Sequence, residues 1–163
     1  MMHQMRRNDK QVHDWADILD ILERSPICCL AMFDEEYPYI VPLYFAYKAG
    51  ESGDLKLIVH GANEGLKHRL MTRNGKVAFE MLASWSIVWN EKNLTDNTVP
   101  YESIMGQATV RVLESKEEKL QAMRTFLKRY RKEKNIEFDA TRLDYIQVYE
   151  LTVVGISAKR SVT

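Results

Sequence analysis

The chain has 163 residues, of which 45% are apolar and 28% charged, an ordinary globular composition long enough to bury one core without disulfide or metal staples. Its 23 basic and 23 acidic side chains cancel, which disfavours nucleic acid as a main partner, because binding a phosphate backbone draws on a basic surplus. A single domain over residues 1–163 is expected, with the local run Lys128-Arg129-Tyr130-Arg131-Lys132 read as the solvated end of a helix.

Cys28 and Cys29 are the only cysteines. Adjacent strand residues point to opposite faces, so a bridge between them would be strained, and reduced thiols in a cytoplasmic protein are expected. Met1-Met2-His3-Gln4-Met5-Arg6-Arg7 leads into no apolar run, and no apolar stretch approaches the length of a bilayer span. Neither a signal peptide nor a membrane segment is therefore expected.

In chain order, Asp14 is placed to cap a helix whose apolar residues Trp15, Ile18, Leu19 and Leu22 recur at helical spacing, and Ser25-Pro26 ends it. Residues 27–33 are apolar throughout and read as a strand buried on both sides, followed by a turn over 34–38. Residues 39–47 read as one returning strand, interrupted in its ladder by Pro42, which implies an edge, a bulge or backbone turned toward something else. Residues 55–59 form a third strand. His60-Gly61-Ala62-Asn63-Glu64-Gly65-Leu66-Lys67 then reads as a glycine-bearing turn with a helix starting at Ala62 or Asn63 and stopped by Asn74-Gly75.

Residues 76–82 read as another strand, with a continuation over 86–89, and 90–100 as a polar loop. From Tyr101 to Leu113 the alternation puts Ile104, Ala108, Val110 and Val112 on a core face. Ser115 to Glu118 is a capping box opening a helix with an expected apolar stripe of Leu120, Met123, Leu127 and Tyr130. A last strand spans 145–156, bent at Gly155. Consecutive strands with few helices between them indicate an α+β domain built on a curled antiparallel sheet or barrel.

The junction after the third strand carries the chemistry. A helix start exposes backbone N–H groups without intrahelical partners, and Lys67 adds a cation, so an anion such as a phosphate fits there, the alternative being a plain strand-to-helix turn with an exposed lysine. His60 would hydrogen-bond a ligand at the same point. The histidines lack ligand spacing for a metal, no serine stands in a nucleophile-elbow context, and Gly61 and Gly65 do not make a dinucleotide-binding glycine triplet.

The ordered set Met5-Arg6-Arg7, Ile18-Leu19-Asp20-Ile21-Leu22, Leu30-Ala31-Met32, Pro38 to Phe45, His60 to Lys67, Asn74 to Phe79 and Tyr101 to Gly106 resembles the pyridoxamine 5′-phosphate oxidase-like flavoproteins, most closely the nitroimidazole-resistance (Nim-type) branch. The resemblance covers about residues 5–130. It implies a predominantly antiparallel split β-barrel with flanking helices, a homodimer holding FMN (or FAD) between its subunits, and flavin-dependent oxidoreductase activity toward nitroaromatics such as 5-nitroimidazoles. It also implies that Val41, Pro42, Leu43, Tyr44 and Phe45 line the isoalloxazine, that His60, Gly61 and Ala62 approach the ribityl phosphate with Lys67 as counter-charge, and that Tyr101, Ser103 and Ile104 lie near the flavin or the dimer seam.

His60 and Tyr101 are the candidates for a catalytic role. The tryptophan-bearing C-terminal segment of true pyridoxamine-phosphate oxidases has no counterpart in Ser157 to Thr163, so vitamin B6 oxidation is not expected. Trp85, Trp89 and the loop to Pro100 are the expected cover of the substrate, with packing at a dimer interface as the alternative. Related split barrels bind haem or a deazaflavin, and a non-catalytic flavin- or haem-binding dimer is the alternative.

Overall fold

The computed structural model describes residues 5–51, 53–86, 88, 90, 91, 93, 97, 99–131 and 140–161. Three helices, α1 (Trp15–Arg24), α2 (Leu66–Asn74) and α3 (Lys116–Tyr130), surround eight strands: β1 (Gln11–Val12), β2 (Cys28–Met32), β3 (Tyr39–Leu43), β4 (Ala46–Ala49), β5 (Leu55–Ala62), β6 (Lys76–Trp85), β7 (Tyr101–Leu113) and β8 (Ile146–Ser161). All pairings are antiparallel, in the order β3-β2-β6-β7-β8-β5-β4, with β1 added along β8.

The edges of that order are β3 and β4, and only Tyr44 and Phe45 separate them in sequence. Three Cα steps reach at most roughly 11 Å. The sheet therefore has to roll up until its two edges nearly meet. Because β3 and β4 do not pair with each other, the result is a split barrel, and the domain is α+β.

The reading of residues 39–47 as one strand is corrected here: the chain leaves one edge at Leu43 and joins the other at Ala46. Pro42 lies opposite Cys29 on the edge strand β3, where a missing ladder donor is tolerated. In β2, Cys28, Leu30 and Met32 are buried while Cys29 and Ala31 are only half-buried, so the strand faces the core on one side rather than both. In β8, which runs to Ser161 rather than stopping at 156, Gln107 pairs with Gly155 and Ala108 with Val153. Val154 is thus the extra residue of a bulge, the irregularity expected beside Gly155.

The barrel interior is filled by Leu30, Met32, Phe45, Leu57, Val59, Leu70, Met71, Phe79, Met81, Ile104, Tyr149 and Leu151. A second cluster on the outer side of β4, β5 and β8 buries Ala46, Ile58, Leu113 and Val148 beneath α3. That helix buries Ala122, Met123 and Phe126. Of the expected stripe, Met123 is in this cluster and Leu120 packs against it, whereas Leu127 is half-buried and Tyr130 is 42% exposed.

Helix starts follow the sequence closely for α1, where Asp14 Oδ1 accepts from Ala16 N at 2.8 Å and Asp17 N at 3.2 Å, and for α3, where Ser115 Oγ accepts from Glu118 N at 3.1 Å. Gly75 ends α2 in the left-handed conformation, φ 62°, donating to the Met71 carbonyl.

Polar anchors tie these layers together. Glu102 on β7 accepts from Arg24 at 2.6 Å, from Arg160 at 2.7 Å and from Ser84 at 3.0 Å, joining α1, β6 and β8 through one carboxylate. The Arg24 guanidinium, foremost, holds the Glu102 carboxyl at about 2, against an ordinary 4.5. Glu150 is buried, which by itself would raise its pKa, yet Lys56 at 3.0 Å and Arg111 at 3.1 Å outweigh that and hold it low.

A carboxyl depressed on folding stabilises the fold above its unfolded pKa and loses that contribution as pH falls through its folded value. Glu102→Gln is therefore expected to lower the melting temperature at pH 7, and the gap from wild type should close as pH drops from about 4.5 toward about 2; thermal melts across that range check it. Gly106 packs so closely that a Cβ would overlap the Phe79 ring and lie 2.8 Å from the Gly155 carbonyl. Gly106→Ala is expected to cost about 1–3 kcal/mol through overpacking, read by urea denaturation.

Candidate functional site

Strand β5 continues through His60 and Gly61 to Ala62, so these residues form a strand end rather than the expected turn. In the register of the sheet they lie opposite Val148, Gln147 and Ile146 of β8. The turn is Asn63 to Gly65, and Gly65, at φ 93°, supplies the positive dihedral. Helix α2 begins at Leu66, four residues after the last residue of β5. The earlier start expected at Ala62 or Asn63 fails because the β5–β8 ladder claims the backbone of residues 60–62.

Gly65 offers no side-chain cap, and α2 has no acidic residue in its first turn. Lys67, the second helical residue, turns back over the strand. Its Nζ is 3.4 Å from the His60 carbonyl and lies where a Cβ on residue 61 would be. A Cβ at 61 would displace that ammonium from this position. Lys67 is half-buried, makes no ion pair among the described residues, and burial lowers its pKa. Burial, and then the Lys67 charge, lower the pKa of His60 as well, so its imidazole is neutral near pH 7.

A cation partly removed from water without a counter-charge, beside an uncapped helix start, is an arrangement completed by an anion. The residues present therefore fit the phosphate end of a flavin nucleotide.

The two chain segments expected at a flavin come together through α3. His60 stacks on Phe126 with centroids 4.6 Å apart and planes at 23°, Phe126 meets Tyr130 at 5.2 Å, and Tyr130 meets Tyr44 edge to face at 5.6 Å. The Tyr130 hydroxyl accepts from Phe45 N at 3.1 Å and donates to Phe45 O at 2.7 Å. Lys119 of α3 donates to the carbonyl of Ile146, the register partner of Ala62, at 3.2 Å.

Within the β3 segment the side chains divide. Val41 and Leu43 are half-buried against the core, Pro42 is exposed, Tyr44 is 61% exposed, and Phe45 is fully buried. Phe45 thus belongs to the framework, and its main-chain groups are already engaged by Tyr130.

Tyr101, Ser103 and Ile104 are not part of this cluster. Ser103 pairs with Lys159 on β8, whereas Gly61 pairs with Gln147 of the same strand, and at ~3.3 Å per residue the contour between Gln147 and Lys159 is roughly 40 Å. Ile104 is fully buried. Across the sheet it aligns with Met81, Cys28 and Leu43, three strand spacings or roughly 14 Å from β3. Tyr101 and Ser103 therefore lie far along the sheet from Gly61 and Lys67, while Ile104 is level with Leu43 across it. Trp89 lies outside the described residues, as does much of the loop before Pro100.

Sequence reasoning missed Phe126 and Lys119, and named Tyr130 only as packing. The available signal was the spacing of Lys119, Phe126 and Tyr130 on one side of a capped helix. Nothing local indicated which strand that side would meet. No group of three or more His, Cys, Asp or Glu among the described residues is placed to hold a metal, and no described helix is long and apolar enough to cross a membrane.

The fold has close counterparts among solved structures. A candidate 5-nitroimidazole antibiotic resistance protein from Bacteroides thetaiotaomicron superposes with a TM-score of 0.79 at 23% identity, over 92% of this chain and 86% of that one. The flavocytochrome Anf3 from Azotobacter vinelandii gives 0.81 at 16% identity, over 99% and 73%. An FAD and heme binding protein from Mycobacterium smegmatis gives 0.78 at 19% identity, over 94% and 74%. No curated protein matches the sequence. The sequence pattern of the family described as pyridoxamine 5′-phosphate oxidase matches residues 14–160, nearly the whole of this split barrel, and the chain belongs to that family.

Proposed function

We propose that the protein is a homodimeric flavoprotein that binds FMN with the phosphate at Lys67 and acts as an oxidoreductase on nitroaromatic compounds such as 5-nitroimidazoles. The observation that carries the reading is the Lys67 ammonium, half-buried without a carboxylate and accommodated by the missing Cβ of Gly61. When bound, the flavin would supply the electron transfer, and the chain would supply binding and orientation. Lys67 and the first N–H groups of α2 would hold the phosphate. The backbone of His60 to Ala62 would approach the phosphate from the end of β5, with the neutral His60 imidazole turned toward Phe126 of α3, and Val41 to Tyr44 would border the ring.

The dimer reading is supported by an apolar outer sheet face. Ile40, Leu82, Met105 and Val154, on β3, β6, β7 and β8, are each exposed by 39% or more. Exposed apolar side chains on several neighbouring strands favour a partner surface. Since Tyr101 and Ser103 lie far from Lys67 within one chain, a second copy is the natural source of those residues beside the cofactor, with Ile104 supporting them from the core. The nitroaromatic substrate is supported by the structural likeness to the Bacteroides resistance protein.

A second reading, a flavin- or haem-binding protein without catalysis, is favoured by the likeness to the flavocytochrome and to the FAD and heme binding protein.

Purified protein is expected to carry or take up FMN with its visible absorbance, to run as a dimer in light scattering, and to consume a 5-nitroimidazole anaerobically with NADPH or dithionite as reductant. A Soret band instead of flavin absorbance would move the assignment to haem, and bound FMN that no acceptor reoxidises would move it to the non-catalytic reading. Lys67→Glu is expected to weaken FMN by roughly ten- to a hundredfold, since a charge-assisted contact is replaced by repulsion. Fluorescence titration measures this, and unchanged affinity would remove the phosphate from Lys67.

A further inference from the structure

Helix α3 supplies none of the residues assigned to the flavin above, yet it joins the two segments that contain them. The Tyr44 and Phe45 link crosses from β3 to β4 at the split of the barrel, where the two strands do not pair, so no ladder fixes its backbone. Both main-chain groups of Phe45 are instead satisfied by a single side-chain oxygen, the Tyr130 hydroxyl, at 3.1 Å and 2.7 Å. The same residue makes the ring contact described for Tyr44, 5.6 Å away at an interplanar angle of 83°. An edge contact of this kind leaves much of the Tyr44 ring, 61% exposed, open to a planar ligand.

We propose that Tyr130 is a positioning residue for the bound flavin: its hydroxyl sets the Phe45 backbone at the barrel split and thereby the attitude of the Tyr44 ring toward the isoalloxazine. This rests on the flavin reading above. On the other side, Phe126 stacks on His60 at 4.6 Å, so one face of α3 touches both the Tyr44–Phe45 link and the end of β5. The docking of α3 does not depend on the Tyr130 hydroxyl, because Met123 and Phe126 are buried and Arg129 reaches the carbonyls of Leu22, Glu23 and Ser25. Removing one oxygen should therefore leave the fold standing and release only the link.

The test compares Tyr130→Phe, which keeps the ring, with Ser115→Ala, which removes the cap at the far end of the same helix. Fluorescence titration with FMN, visible circular dichroism of the bound flavin and thermal melts are measured on the full chain. Both variants are expected to melt somewhat lower than wild type. Tyr130→Phe should raise the FMN dissociation constant about three- to tenfold, the loss of roughly one hydrogen-bonded anchor, and alter the flavin dichroism, whereas Ser115→Ala should match wild type in both. If Tyr130→Phe binds FMN with wild-type affinity and dichroism, or if Ser115→Ala weakens FMN equally, the positioning role is overturned while the flavin reading stands. A wild-type chain that takes up no FMN overturns both.

Discussion

The buried guanidinium of Arg129 is the point from which the rest of the architecture takes its shape. Its side chain is 8% exposed and bonds Glu23 at 2.9 Å together with the carbonyls of Leu22, Glu23 and Ser25 at 3.0–3.1 Å. These carbonyls belong to the last turn and C-cap of α1, where a helix runs out of N–H partners. The same cation lies 4.3 Å from the centre of the Phe45 ring, an attraction that strengthens when water is excluded. One residue of α3 thus caps α1 and clamps the link at which the sheet changes edge. A lysine could not serve, since a point charge does not present several coplanar donors at once.

With that clamp in place, the open and closed parts of the molecule have a common explanation. The barrel is closed everywhere by ladders except between β3 and β4, and α3 covers that gap with Arg129 and Tyr130. Beyond the gap lies the end of β5, where α2 starts without a cap and Lys67 folds back across Gly61. Two of the three helices have their first turns satisfied by their own side chains. The third leaves its N-terminus to be satisfied from outside, next to a cation that also lacks a counter-charge, and this asymmetry distinguishes the candidate site from the rest of the surface.

How much could be read beforehand depended on whether the deciding contact was local. Asp14, Ser115 with Glu118, and Asn74-Gly75 act within a few residues, and each marked a helix boundary that the structure keeps. The alternation from Tyr101 to Leu113 likewise assigned the core side of β7 correctly. Lys67 and the stretch His60 to Ala62 were legible as a candidate anion site, although as a strand end and not as a turn. The start of α2 was misread because the residues that decide it, 146–148 of β8, stand far away in sequence. The stripe of α3 was only partly right, with Met123 and Leu120 on the packed side, for a related reason: helical spacing defines a face but not the barrel split that the face must cover.

By itself, then, the sequence determined most of the elements, their antiparallel α+β character, the capped helix ends and, through an ordered set of short matches, the resemblance to a flavoprotein family. Backbone propensity, capping and alternation operate over a few positions, so a linear reading captures them. Tertiary structure alone decided that Tyr44 and Phe45 cross between edges, that Phe126 and Tyr130 bring the Tyr44–Phe45 link and β5 together, and that Tyr101 and Ser103 stand far along the sheet from Lys67. Those facts depend on sheet register and curl, which arise only when distant strands find one another and the core closes around them.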